Sequence, residues 1–145
     1  MAVFEARAHW SGSTGAGWDS YDRAHAVSAP PAEQGLTVTT GESHGDPSLL
    51  NPEQLVVAAA SSCQLLWFLH LAAKARIDVV EYEDRARAHM PAGAITEIVL
   101  RPRIVVAGDP SEARVRRLCE LAHRECNVAK SLSGEVRVQP ELERR

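Results

Sequence analysis

The sequence has little cysteine, no excess of basic charge and no long apolar run, and each shortage closes a class of function. Three cysteines, an odd number at irregular spacing, do not make the disulfide framework of a small secreted protein. In a reducing cytosol, taken as the default compartment, a cysteine pair suits redox or metal chemistry better than a structural bridge. A formal net charge of −3 leaves no electrostatic footprint for nucleic acid or an anionic membrane surface. The longest uncharged, mostly apolar stretch runs from Leu55 to Leu69. It falls short of the roughly 20 residues a bilayer span requires and reads as a helix covered on most sides. Met1-Ala2-Val3-Phe4-Glu5-Ala6-Arg7 has no basic region leading into an apolar stretch, so no secretory signal is expected. Internal repeats and low-complexity tracts are absent.

What is present is globular: 145 residues, 45% hydrophobic and 24% charged, the size of one domain spanning 1–145. Phe4 to Trp10 alternates weakly. Tyr21 to Val27 predicts a strand with Tyr21, Arg23, His25 and Val27 on one face. Leu36 to Thr40 predicts another. Asn51 is a good helix N-cap, Pro52 suits the first helical position and Gln54 completes a capping box, so a helix is expected from Pro52 to about Ala75. Val79 to Met90 and Ile95 to Val106 predict a strand pair joined at Pro91-Ala92-Gly93. Asp109-Pro110-Ser111-Glu112 opens a second helix with Val115, Leu118 and Ala122 on its apolar face and a stop near Gly134. Glu135 to Gln139 is a final strand. The class is α+β. A first helix this apolar in so small a chain also predicts a dimer.

Cys63 and Cys126 lie on the inner faces of the two helices, where two thiols can meet; each also reads as a small core side chain. Cys119, His123 and Cys126 are spaced four and three apart, a spacing that puts thiolates and an imidazole on one helical face and suits zinc, although no fourth ligand is evident. The alternative for His123 is an ordinary partly exposed helical side chain, and for Cys119 a core residue. Arg23 reads either as a strand arginine reaching for water or as a buried guanidinium beside a thiol. Glu53, in the first turn of its helix, is favourable against the helix dipole on structural grounds alone. Arg85 and Arg87, with Arg114, Arg116 and Arg117, read as solvated faces.

Taken together these residues resemble a known family. Asn51-Pro52-Glu53-Gln54-Leu55, then small residues and Ser61-Ser62-Cys63, is similar to the first-cysteine motif of the OsmC/organic-hydroperoxide-resistance (Ohr) family. Ala122 to Ser131, around Cys126, resembles its second-cysteine motif, with Asn127 and Lys130 as departures. Trp10-Ser11-Gly12, Tyr21-Asp22-Arg23-Ala24-His25, Gly45-Asp46, His70-Leu71 and Tyr82-Glu83-Asp84 resemble the OsmC branch. The resemblance covers about Trp10 to Pro140. It implies two central helices wrapped by antiparallel sheets in an intertwined homodimer, and a cytoplasmic stress-response peroxidase with no metal or organic cofactor. It implies an organic hydroperoxide as substrate and a dithiol reductant of the lipoyl type. By position it makes Cys63 the attacking cysteine, Cys126 the resolving one, Arg23 the cation that stabilises the thiolate and Glu53 the carboxylate that orients Arg23.

One geometric condition accompanies that assignment. Ten residues of straight helix span about 15 Å, so a single Arg23 can serve both Glu53 and Cys63 only if the helix bends or breaks between Ala58 and Ser62. Two other functions compete: a zinc protein built on Cys119, His123 and Cys126, and a non-catalytic dimer holding a small apolar ligand between its helices.

Overall fold

A computed structural model describes residues 1–145. The chain forms two compact units, Met1–Val56 and Val57–Arg145. In the first, β1 (Arg7–His9), β2 (His25–Ser28) and β3 (Gly35–Val38) make an antiparallel sheet in the order β1-β2-β3. Beyond β3, Thr39 N–H donates to the Leu50 carbonyl at 2.9 Å, which carries the chain to the first helix.

That helix, α1 (Pro52–Lys74), begins with the expected reciprocal cap. Gln54 N–H donates to Asn51 Oδ1 at 2.9 Å, and Asn51 N–H donates to Gln54 Oε1 at 3.0 Å. It stops where Arg76 turns left-handed at φ 56° and Ile77 N–H reaches back to the Ala72 carbonyl, a closure in which glycine is commoner. The helix is 23 residues long, and an 18-residue stretch of it has a mean hydropathy of 1.7. By length and composition it could cross a membrane, which the shorter Leu55–Leu69 run had not suggested. One stripe of it, Ala60, Gln64, Phe68 and Ala72, is buried at four-residue spacing.

The rest of the second unit comprises β4 (Val79–Asp84), β5 (Arg87–His89), β6 (Glu97–Leu100), β7 (Pro102–Val106), α2 (Glu112–Glu125), α3 (Asn127–Lys130), β8 (Glu135–Val138) and β9 (Glu141–Arg144). Phe68, Ala72, Ile77, Ile104, Val106, Val115, Cys119 and Ala122 form its core.

Four expectations are corrected here. Each long strand is really two, because the chain passes from one sheet to another at Arg85-Ala86 and at Arg101. The sheets β4-β7-β9 and β5-β6-β8 are mixed rather than antiparallel, since β8 joins β6 and β9 joins β7 in parallel. The strand at Glu135 is not the last: Pro140 ends it and β9 follows in the other sheet. Finally, β2 starts only at His25. Residues 21–24 are a turn, in which Asp22 Oδ1 accepts from Ala24 N–H at 2.9 Å and the Asp22 carbonyl accepts from the Trp10 indole at 2.7 Å. Those bonds take the backbone groups that a ladder would have used.

Candidate active site

The sequence-predicted residues fall into two groups, one in each unit. In the first unit, Trp10, Thr14, Tyr21, Arg23, His25, Thr39, Thr40, Pro52 and Glu53 line a cavity of about 340 Å³. Arg23 and Glu53 share this cavity without an ion pair between them. The Arg23 guanidinium instead donates to the carbonyls of Tyr21, at 2.7 Å, and Trp18. It also lies 3.8 Å above the Tyr21 ring, whose edge-to-face partner is Trp10 at 5.9 Å between centroids. A charged fork over an aromatic face keeps its attraction where water is thinned out. His25 Nδ1 is 2.9 Å from the Arg23 carbonyl, so both ends of the residue are held.

The second unit holds the thiols. All three cysteines are unbridged. Cys63, on α1, is half-buried; Cys126 is 1% exposed. The Cys63 thiol lies close enough to Cys126 to affect its titration, so the two sulfurs are neighbours. Cys126 is not on α2 but in the extended residue that separates α2 from α3, and its Sγ accepts Ala129 N–H at 3.4 Å. Burial pushes the Cys126 thiol up from its ordinary value; the Ala129 and Val128 amides partly oppose this, and the neighbouring Cys63 adds to it. Cys63 is the more accessible of the two sulfurs.

Cys119 is a different kind of thiol. It is 2% exposed, and burial pushes it up to about 12. Its carbonyl accepts Gln64 Nε2–H at 3.1 Å. The zinc reading fails on this geometry: the helical face assumed for Cys119, His123 and Cys126 ends at Glu125, and no three potential ligands come together anywhere. The bend required between Ala58 and Ser62 is also absent, because α1 runs unbroken from Pro52 to Lys74.

Sequence reasoning missed Gln64, and it gave Tyr82 and Asp84 no role beyond their place in the Tyr82-Glu83-Asp84 motif. Gln64, next to Cys63, is 1% exposed, and its Oε1 has no partner; the buried Tyr82 hydroxyl has none either. Burial and the nearby Asp84 carboxylate push Tyr82 far above the ordinary phenol range. Asp84 itself accepts from Ser61 Oγ at 2.5 Å and from Arg101 N–H at 2.6 Å, tying α1 to the point where the chain changes sheets. The four-residue spacing of Ala60, Gln64 and Phe68 was the available signal for Gln64.

Residues 45–141 match the protein family described as OsmC-like protein. Among solved structures, an OsmC-like protein of unknown function from Vibrio cholerae superposes with a TM-score of 0.89 at 27% identity, covering 97% of this chain and 100% of that one. An organic hydroperoxide resistance protein OsmC from Legionella pneumophila superposes at 0.64 with 20% identity, covering 99% and 98%. The uncharacterized protein YmaD of Bacillus subtilis is 24% identical over 98 residues, which are 63% of this chain and 65% of that relative.

Proposed function

The chain belongs to the OsmC-like protein family, and from that premise we propose that it is a thiol-dependent peroxidase that reduces organic hydroperoxides, with Cys63 attacking and Cys126 resolving. The observation that carries this reading is the nearness of a half-buried Cys63 to a buried Cys126, both unbridged. The name of the Legionella relative, an organic hydroperoxide resistance protein, supports the substrate class.

The chemistry balances with these two sulfurs alone. The Cys63 thiolate attacks the outer peroxide oxygen; the O–O bond breaks, the alkoxide takes a proton and leaves as the alcohol, and Cys63 becomes a sulfenic acid. The Cys126 sulfur then displaces the sulfenic hydroxyl, releasing water and leaving a Cys63–Cys126 disulfide. A dithiol reductant of the lipoyl type returns both to thiols and is itself oxidised. No metal or organic cofactor enters.

Arg23 is the proposed cation, worth about 1–3 pKa units at close range, and Glu53 is its orienting carboxylate. Because α1 is unbroken, Glu53 and Cys63 stand about 15 Å apart along it. An Arg23 oriented by Glu53 would be too far along the helix to serve the Cys63 of that same helix, so the proposal takes the guanidinium from a second copy. A homodimer agrees with the surface of α1, where Ala59, Ser62, Leu66, Leu69 and Ala73 form an exposed, uncharged stripe at alternating three- and four-residue spacing. Three unbridged thiols fit the cytoplasm.

Intact-mass spectrometry after one equivalent of cumene hydroperoxide tests the reading. The expected product is a Cys63–Cys126 disulfide, with a loss of two hydrogens. Protein left with both thiols unmodified ends the peroxidase proposal. Light scattering at micromolar concentration checks the dimer; a stable, active monomer excludes it.

A further inference from the structure

A second cavity, of about 500 Å³, opens in the second unit and is lined by Glu83, Arg85, Ala86, Arg87, Arg101, Arg103 and Glu141. The sequence had suggested solvated faces for Arg85 and Arg87; here they share a concave site. We propose that this cavity binds a phosphate-bearing small molecule, gripped between Arg85 and Arg101.

The strand register puts those two arginines together. On one side of the sheet junction Glu83 pairs with Arg103 and Asp84 with Pro102; on the other, Arg87 pairs with Val99. The same register carried through the junction brings Arg85 and Arg101, which lie between the two ladders, to the same stretch of the cavity wall. Like charges gathered around one concavity repel unless an anion lies between them. Asp84, the nearest carboxylate along the chain, does not serve: its two oxygens are taken by Ser61 Oγ and by the Arg101 backbone N–H. Those bonds hold the junction in place and leave Asp84 with no contact to either arginine side chain.

The guanidiniums differ in how they are engaged. Arg103 is already held by Glu81 at 3.2 Å and Glu143 at 2.7 Å. Arg87 and Arg101 have no side-chain hydrogen bond and no ion pair, while Arg85 has one long contact, 3.5 Å to Glu83. Three guanidiniums therefore keep donors available around one concavity, with the small Ala86 leaving room between them. A guanidinium fork matches the oxygens of phosphate two at a time, and a dianion placed between Arg85 and Arg101 turns a repulsion into two charge-assisted contacts. A monocarboxylate has too few oxygens and too little charge to serve both. Glu83 and Glu141 on the lining favour a ligand that also carries hydroxyl or amino donors beside its phosphate.

The test is calorimetric titration of the full chain at low ionic strength with inorganic pyrophosphate, and with acetate as a control. Saturable binding at one site per chain is expected for pyrophosphate, at least tenfold tighter than for acetate. The double variant Arg85→Gln/Arg101→Gln should bind at least tenfold more weakly and still consume peroxide like wild type. Arg85 is largely exposed, with 84% of its side chain accessible, so its replacement leaves the fold intact. Without ligand, Arg85→Gln alone should melt at the same temperature as wild type or higher, because that repulsion is gone. A non-saturating isotherm, equal affinity for acetate, or unchanged pyrophosphate binding in the double variant overturns the proposal.

Discussion

Cys126 and Cys119 are both buried, both displaced upward by burial, and close in sequence, yet they occupy two chemically distinct regions. Around Cys126 the neighbours are a second thiol and backbone amides aimed at its sulfur. Around Cys119 they are the Gln64 amide and the apolar core of Phe68, Ile104 and Val115. Burial alone makes an inert thiol. A half-exposed partner sulfur is what gives a buried thiol something to react with.

Replacing Cys63 tests this contrast most severely. Cys63→Ser should reduce hydroperoxide consumption to background while circular dichroism and the melting profile stay near wild type; residual dithiol-dependent turnover would move the chemistry to another thiol. Cys126→Ser should keep one turnover and lose the rest. Its Cys63 should gain oxygen by mass, first as sulfenic and then as sulfinic acid under excess peroxide. If multiple turnovers persist, Cys126 is a neighbour and not a partner.

Arg23→Lys is a milder probe. It should slow attack at neutral pH by about tenfold and shift the pH–rate profile upward by about one unit, since an ammonium cannot be held by a carboxylate in two-pronged fashion. Overlaid profiles would remove Arg23 from the mechanism.

Cys119→Ala should act on stability alone. In the fold this thiol stays protonated up to about 12, against an ordinary value of 9.0. Its contribution is therefore complete below pH 9 and is lost as pH rises toward 12, at up to about 1.4 kcal/mol per pH unit. Denaturant melts at pH 8, 9.5 and 10.5 should show a shallower fall for the variant than for wild type, with peroxide activity at pH 7 unchanged. Parallel slopes would mean that Cys119 is not the group responsible.

Much of this was legible in the residues. The Asn51/Gln54 cap, the length of α1 and the Ser111 cap follow from local chemistry that the chain carries within a few residues. Helical spacing suits zinc only if Cys126 is helical; the break after Glu125 depends on where α2 packs, which periodicity does not report. Arg23 was assigned to a strand because Tyr21, Arg23, His25 and Val27 alternate. The turn that displaces it rests on a bond from Trp10, in a different part of the first unit. The strand divisions at Arg85-Ala86 and Arg101 were likewise hidden. Alternation continues through them, and only the pairing partner changes. The arginine cavity emerges only once both sheet junctions are in place and Arg85 and Arg101 line one concavity.

The two parallel pairings have a consequence for how the chain can vary. Glu97 aligns with Glu135 and Arg103 with Glu141, the same offset along the sequence in both sheets. A single connection, through α2 and α3, thus keeps time for two ladders at once. A residue inserted or deleted there and not absorbed in a loop would slip both together, turning Val136 and Leu142 outward in the same step. Tolerance to length change in this chain should therefore be found in the Pro91–Gly93 turn and in the segment before β2, and be scarce between β7 and β8.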